Sequence, residues 1–245
     1  MKRAILILLF IGLPFASQAA VKRTLQTSMP AARITHVTID AGVGQLKLTP
    51  STDDKLHVQV DLEQKSVNFL WFFHWMSHTT AREIAAVKLQ QKAENDGVTY
   101  SLDYPGHLDD GDVKQNWTIE IPARMAVKIR MKVGELHLSG ISGGVDAKLE
   151  VGEVTLKTPR GPIKAVVNVG QIRATSATTQ VGNIHMSSSI GDAQLQMPNW
   201  NDNENNRSGL GRTVNVAGKG PDSMDLEVNI GDARLSIEPA TAAGK

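Results

Sequence analysis

Two carboxylates, Glu135 and Glu153, each follow a glycine in the same setting, Val-Gly-Glu, and stand 18 residues apart. Stacked on neighbouring strands, such a pair could supply the acid and the base of glycoside hydrolysis. The corresponding positions further along are Gln171 and Asn183, which exchange no protons. That series has the character of a solvated ladder of turn residues. We therefore expect no catalysis, and keep a polysaccharide-active β-helix enzyme as the alternative reading.

Metal chemistry has equally little to stand on. His74 and His78 are spaced four apart, so on a helix they would share a face and could hold a metal, but neither a third ligand nor a zincin glutamate accompanies them. His137 and His185 occupy polar positions of strand-like segments. The acidic run Asp109-Asp110-Gly111-Asp112 lacks the ligand spacing of an EF-hand and reads as a polar turn. The glycine repeats lack the Gly-Gly-x-Gly-x-Asp pattern of calcium-binding toxin repeats. No metal and no cofactor is expected.

Two groups of residues point to surface contacts instead. Phe69, Trp71, Phe72, Phe73 and Trp75 crowd into one short stretch. They either cap an open end of the fold or enter a membrane interface or a partner's groove, since Trp and Phe bury large apolar areas. The stretch is too short to cross a bilayer, so a membrane role would be peripheral. Arg124, Lys128, Arg130 and Lys132 alternate with Met125, Val127, Ile129 and Met131, which places four cations on one face of a strand. They either protect a strand from unwanted pairing or meet an anionic surface such as lipid phosphate or acidic polysaccharide.

The chain as a whole carries 26 Lys+Arg against 25 Asp+Glu, with 41% hydrophobic residues and no Cys. That balance belongs to a folded globular protein and gives no basic excess for nucleic acid. Residues 1–19 read as a signal peptide: Met1-Lys2-Arg3 is basic, Ala4 to Phe15 apolar, and Ser17-Gln18-Ala19 suits the peptidase. Its removal leaves 24 basic against 25 acidic side chains. The expected protein is exported, periplasmic or at the cell surface. With no cysteine to acylate it is not a lipoprotein, and no later segment reads as a transmembrane helix.

The elements that position these residues follow from a repeat. Gly134, Gly143, Gly152, Gly161 and Gly170 fall nine residues apart. Every second unit is the more regular: Val133-Gly-Glu-Leu-His-Leu138, Val151-Gly-Glu-Val-Thr-Leu156 and Val169-Gly-Gln-Ile-Arg-Ala174. Val181-Gly-Asn-Ile-His-Met186 follows after a three-residue slip, then Ile190-Gly-Asp-Ala-Gln-Leu195 and Ile230-Gly-Asp-Ala-Arg-Leu235, with Val43-Gly-Gln-Leu-Lys-Leu48 as an earlier relative. The residues two and four after each glycine are apolar and their neighbours polar, the period of a strand with one face inward. A short strand buries little by itself, so successive units must stack. The expected fold is all-β, a stacked β-repeat or β-solenoid, in which Leu136, Val154 and Ile172 form one inward ladder; a β-sandwich is the alternative. A six-residue phase is rejected, because Ser139, Lys157 and Thr175 would then point into the core every third time.

Upstream, alternating segments at 34–62, a hairpin turning at Glu94-Asn95-Asp96-Gly97, and Trp117 to Ile121 suggest an antiparallel portion. We expect residues 20–33 to be a linker and 34–238 one elongated domain. It carries an aromatic insertion at 66–84, with Thr80-Ala-Arg-Glu83 as a helix capping box, and a polar insertion at 199–212. A final strand pair should run through Thr213 to Ala217 and Met224 to Ile237, before a tail at 239–245.

The strand Trp117-Thr-Ile-Glu-Ile-Pro122, the alternating Met125 to Lys132 strand and the serial Val-Gly-Glu/Gln/Asn units up to Ile190-Gly-Asp192 resemble the exported bacterial adhesin-like β-strand-repeat family. The resemblance covers about residues 34–238. It implies an all-β, solenoid-like repeat in a cell-envelope or surface protein and carries no enzymatic activity. The expected function is a non-catalytic scaffold that binds a protein, lipid or glycan partner. A structural envelope-stress module is a further alternative.

Overall fold

The computed structural model describes residues 22–64, 81–106, 108–177, 181–198 and 206–238. Among them the chain is nearly all β. Fourteen strands join one large mixed sheet that does not close, and the one described helix, α1 (Ala81–Ala86), is short.

The centre of the sheet is a set of parallel strands: β2 (His36–Pro50), β7 (Ala126–Ser139), β8 (Val145–Lys157) and β9 (Ile163–Ser176). Val127 lies beside Val145 and Val145 beside Ile163, so the register advances 18 residues from strand to strand. Leu136, Val154 and Ile172 form one ladder and all are fully buried, as the repeat predicts. Val127, Ile129 and Met131 form the buried row of the preceding half-strand.

This register forces each strand to bend. The connection from Ser139 to Val145 spans only about 20 Å at full extension. A straight β7 would carry its end roughly twice that distance from Val127, beside which Val145 sits. The bend falls at the Val-Gly step, where Gly134, Gly152 and Gly170 have φ of 137°, 139° and 139°. A Cβ on Gly170 would lie 1.8 Å from the carbonyl oxygen of Gly152, so nothing larger than glycine fits.

Order along the sheet departs from order along the chain. After β9 the next strand in space is β14 (Asp222–Ile237), and β10 (Val181–Ile190) pairs with the far side of β14. The three-residue slip at Val181 is therefore no interruption of one ladder. Gly182 is not the equivalent of Gly170: the equivalents are Gly231, beside Gly170, and then Gly191, in the bend between β10 and β11 (Ala193–Gln196). Nor do the last two segments pair with each other. β13 (Gly211–Val216) runs antiparallel to β10 and β14 parallel to it, so β10 separates them. β13 and β12 (Asn206–Ser208) form a hairpin covering that edge of β10, built partly from the polar insertion at 199–212.

At the other end, β5 (Gly97–Asp103) and β6 (Val113–Ile121) run parallel to the first and second halves of β2. The expected hairpin joins β4 (Lys88–Glu94) to β5, with Asn95 at φ 50° as the left-handed residue. Residues 20–33 are not simply a linker: Lys22–Pro30 form β1, antiparallel to β3 (Lys55–Gln64), which in turn pairs with β6. The apolar residues of β1 are too sparse to announce a strand, and Pro30 at its end is tolerated because this is an edge. Arg23 reaches across to donate to the carbonyls of Ile84 (3.1 Å) and Ala85, which closes the C-terminal end of α1. Ile84 and, just beyond the 66–84 insertion, Val87 are fully buried, so the end of the insertion packs into the core.

Candidate binding edge

Each bend glycine sits between a residue that cannot turn inward and one that need not. The residue before it is β-branched and exposed: Val133 (39%), Val151 (43%), Val169 (43%), Ile230 (48%) and Ile190 (48%). Apart from Leu210, these are the exposed large hydrophobic residues of the described chain. Val133, Val151, Val169, Ile230 and Ile190 are direct register partners in sequence along the sheet, so they form one continuous row across five strands. The alternation rule did not place them, because it starts two residues after the glycine.

On the other side of the glycines runs a polar ladder: Gln45, Glu135, Glu153, Gln171 and Asp232, continued by Asp192. Val133 and Val151 of the row, the glycines Gly134, Gly152, Gly170 and Gly231, and the ladder residues Glu135, Glu153, Gln171 and Asp232 line a shallow, open hollow of about 560 Å³. Glu153 accepts from Arg173, from Gln171 Nε2 (2.8 Å) and from Thr155 (3.3 Å). The Arg173 guanidinium above all holds this carboxyl below the usual range. Glu135 accepts from Gln45 Nε2 (2.8 Å) and lies 3.2 Å from His137 Nε2. Asp232 pairs with Arg234 at 3.2 Å. Burial pushes Asp192 up, but Gln194 (2.8 Å) and Arg212 (3.1 Å) outweigh it and hold the group low.

Glu135 and Glu153 are therefore register partners on neighbouring strands, as expected, but Glu153 is not set up as a general acid. A general acid requires a carboxyl whose pKa is raised, and Glu153 is pushed the other way.

Lys128, Arg130 and Lys132 share one face of β7 as the sequence predicts, whereas Arg124 lies in the turn that precedes the strand. Arg124, Lys128, Arg130 and Lys132 are all exposed, above buried Met125, Val127, Ile129 and Met131. Each has an acidic partner: Arg124 with Asp54 (2.6 Å), Lys128 with Asp146 (3.4 Å), Arg130 with Asp40 (3.7 Å) and Lys132 with Asp110 (2.8 Å). Their charge is balanced in place. A smaller pocket of about 330 Å³, lined by Asp40, Tyr104, Asp110, Arg130, Lys132 and Lys148, lies on this face.

Phe69, Trp71, Phe72, Phe73 and Trp75 lie outside the described residues, as do His74, His78 and Thr80. His185 Nδ1 lies 2.7 Å from Asn215 Oδ1. Two carboxylates of the acidic run serve the turn itself: Asp109 Oδ1 accepts from the Gly111 N–H (2.6 Å) and Asp112 Oδ2 from the Asp109 N–H (3.0 Å). Among the described residues no cluster of three or more His, Asp or Glu is placed to hold a metal ion. Nor is any described helix long and apolar enough to cross a membrane.

No family model and no curated protein matches this chain. It is similar in fold to a provisionally assigned cell adhesion protein from Clostridium sporogenes, with 10% identity over 89% of this chain and 100% of that one and a TM-score of 0.54. Provisionally assigned adhesins from Bacteroides fragilis (13% identity, 87% and 97% covered, TM-score 0.32) and Parabacteroides merdae (12%, 89% and 96%, 0.27) align more loosely and add nothing to that likeness. At such identities the relationship is one of fold.

Proposed function

We propose that this chain is an exported, non-catalytic protein of the cell envelope or surface, adhesin-like in role. Its central strands wind as a solenoid that presents the Val/Ile edge to a partner. The observation that carries the reading is the exposed row Val133, Val151, Val169, Ile230 and Ile190. Strand propensity does not account for it. Threonine suits an exposed strand position as well as valine does, yet every one of these positions, and Val43 before them, is Val or Ile. Scattered exposed apolar residues need no explanation, whereas a contiguous row does. The cell adhesion assignment of the Clostridium sporogenes neighbour agrees with this reading.

Retention of the purified mature protein on isolated envelope fractions tests it. The variant Val151→Thr, Val169→Thr keeps shape and strand propensity while removing apolar surface. Retention should fall about tenfold in a variant that circular dichroism shows to be folded, because two buried methyl-sized contacts are worth on the order of 1–2 kcal/mol. Equal retention of both proteins would overturn the reading.

A further inference from the structure

The occupant of this edge follows from its shape, its repeat and its unused hydrogen-bonding capacity, given that the edge is a binding surface as proposed above. The row and the ladder both run across the strands and repeat at the strand spacing, about 4.8 Å. From Val133 to Ile190 they extend about 19 Å. An occupant must therefore be slender, extended and periodic. A globular partner or a second copy would need roughly 800 Å² on each side, far more than five half-covered side chains provide.

Charge narrows the choice. The carboxylates of Glu153, Asp232 and Asp192 are each neutralised by an arginine, and Glu135 has His137 beside it. With Glu153, Asp232 and Asp192 each paired with an arginine, the edge carries little net charge to draw in either a basic or an acidic polymer. Acceptor capacity is not spent, since a carboxylate offers about four lone-pair sites and the Gln171 side chain, donating through Nε2, keeps its oxygen. One wall thus asks for neutral hydrogen-bond donors and the other for apolar C–H surface, with no side chain on the glycine floor between them.

We propose that the edge binds a linear, neutral, β-1,4-linked polysaccharide. The glycan runs along the groove across β7, β8, β9 and β14. Its rings lay C–H surface on Val133, Val151, Val169 and Ile230, and its hydroxyls donate to Glu135, Glu153, Gln171 and Asp232. An extended chain of such rings advances per residue by nearly the strand spacing and turns each ring over relative to the last, so one sugar falls on each strand and every second strand meets the same ring edge. Aliphatic rather than aromatic contacts make each sugar's share small, and affinity accumulates with length.

Titration of the mature protein with cellohexaose and chitohexaose, their trimers, polygalacturonate and hexalysine, followed by calorimetry, tests this. At least one neutral hexamer should bind at least tenfold more tightly than its trimer, and polygalacturonate and hexalysine more weakly than the hexamer. Val151→Thr, Val169→Thr should lower hexamer affinity about tenfold. If that variant does not fold, Gln171→Ala, on the half-buried ladder, should lower it about threefold. Absence of binding by both hexamers, a preference for polygalacturonate or hexalysine, or hexamer binding unchanged in a folded variant would overturn the proposal. So would sedimentation showing a dimer that the valine substitutions dissolve. Row-dependent retention on envelope fractions without hexamer binding would sink the glycan while leaving the edge as a binding surface.

Discussion

Ile190 pairs in parallel with Ile230, not with Val169, the exposed residue of the preceding repeat unit in the chain. The C-terminal strand is thereby inserted between two strands that are consecutive in sequence. Both candidates for the edge of β9 carry the same pattern, Ile-Gly-Asp-Ala-x-Leu, so sequence similarity alone does not decide which one takes it. The hairpin β12–β13 supplies the reason: it pairs antiparallel on the far side of β10, so β10 is held as the outer strand.

Because the chain has no native cysteine, this order is directly testable. The side chains of Asn168 and Asn229 lie 3.1 Å apart, a placement suited to a disulfide between adjacent strands. Asn168→Cys with Asn229→Cys should form an intramolecular disulfide in high yield. Asn168→Cys with Ser189→Cys should form little. The reverse result in a thiol quantification would show β10 docked on β9.

Gly170→Ala should unfold or severely destabilise the protein, by about 3 kcal/mol or more, because the positive φ and the carbonyl of Gly152 both oppose a Cβ. Gly106→Ala is the contrasting case. Its φ is 66° and nothing lies within 4 Å of the added carbon, so the cost should be about 1 kcal/mol. Urea denaturation of the two variants distinguishes them.

Gln115 is buried and holds together three segments. Its Oε1 accepts from the Gly42 N–H (3.0 Å) and from Trp117 Nε1 (2.9 Å), while Nε2 donates to the Tyr104 hydroxyl (2.5 Å). Gln115→Leu leaves two buried donors without an acceptor and should cost about 2–4 kcal/mol. The same denaturation, followed by tryptophan fluorescence, measures it.

Arg173 lowers the Glu153 pKa, so their pairing stabilises the folded state at pH above the ordinary glutamate value of 4.5. That contribution is lost as pH falls through the lower folded-state value. The pair is partly exposed, which limits it to about 0.5–1 kcal/mol. Arg173→Gln should therefore be less stable than the parent at pH 7 by that amount, with the difference vanishing toward pH 2. A pH series of urea midpoints gives the answer, and a difference that grew on acidification would contradict the assignment.

Much of the scaffold was legible in the residues. Glycines with apolar residues two and four places later placed Leu136, Val154 and Ile172 in one buried ladder, and alternation put Arg124, Lys128, Arg130 and Lys132 outside. Pairing partners were less legible. The acids that neutralise those cations come from other strands or from turns distant in the chain, and only register brings Asp40 to Arg130 or Asp146 to Lys128. The binding edge was missed for a local reason. A bend breaks the period of two, so the residue before each glycine belongs to neither half-strand's inward row. Its signal was present as a Val or Ile before every bend glycine. The intercalation of β14 left no mark that a periodicity could show.

The edge itself is the central claim, and methyl NMR reads it residue by residue. With Val and Ile methyls labelled, titration with whichever neutral hexamer binds should shift the signals of Val133, Val151, Val169 and Ile230 while leaving buried Val167 and Ile172 in place. Shifts centred on methyls nearest the pocket of Asp40, Arg130 and Lys148, or no methyl shifts with either hexamer at millimolar concentration, would contradict it.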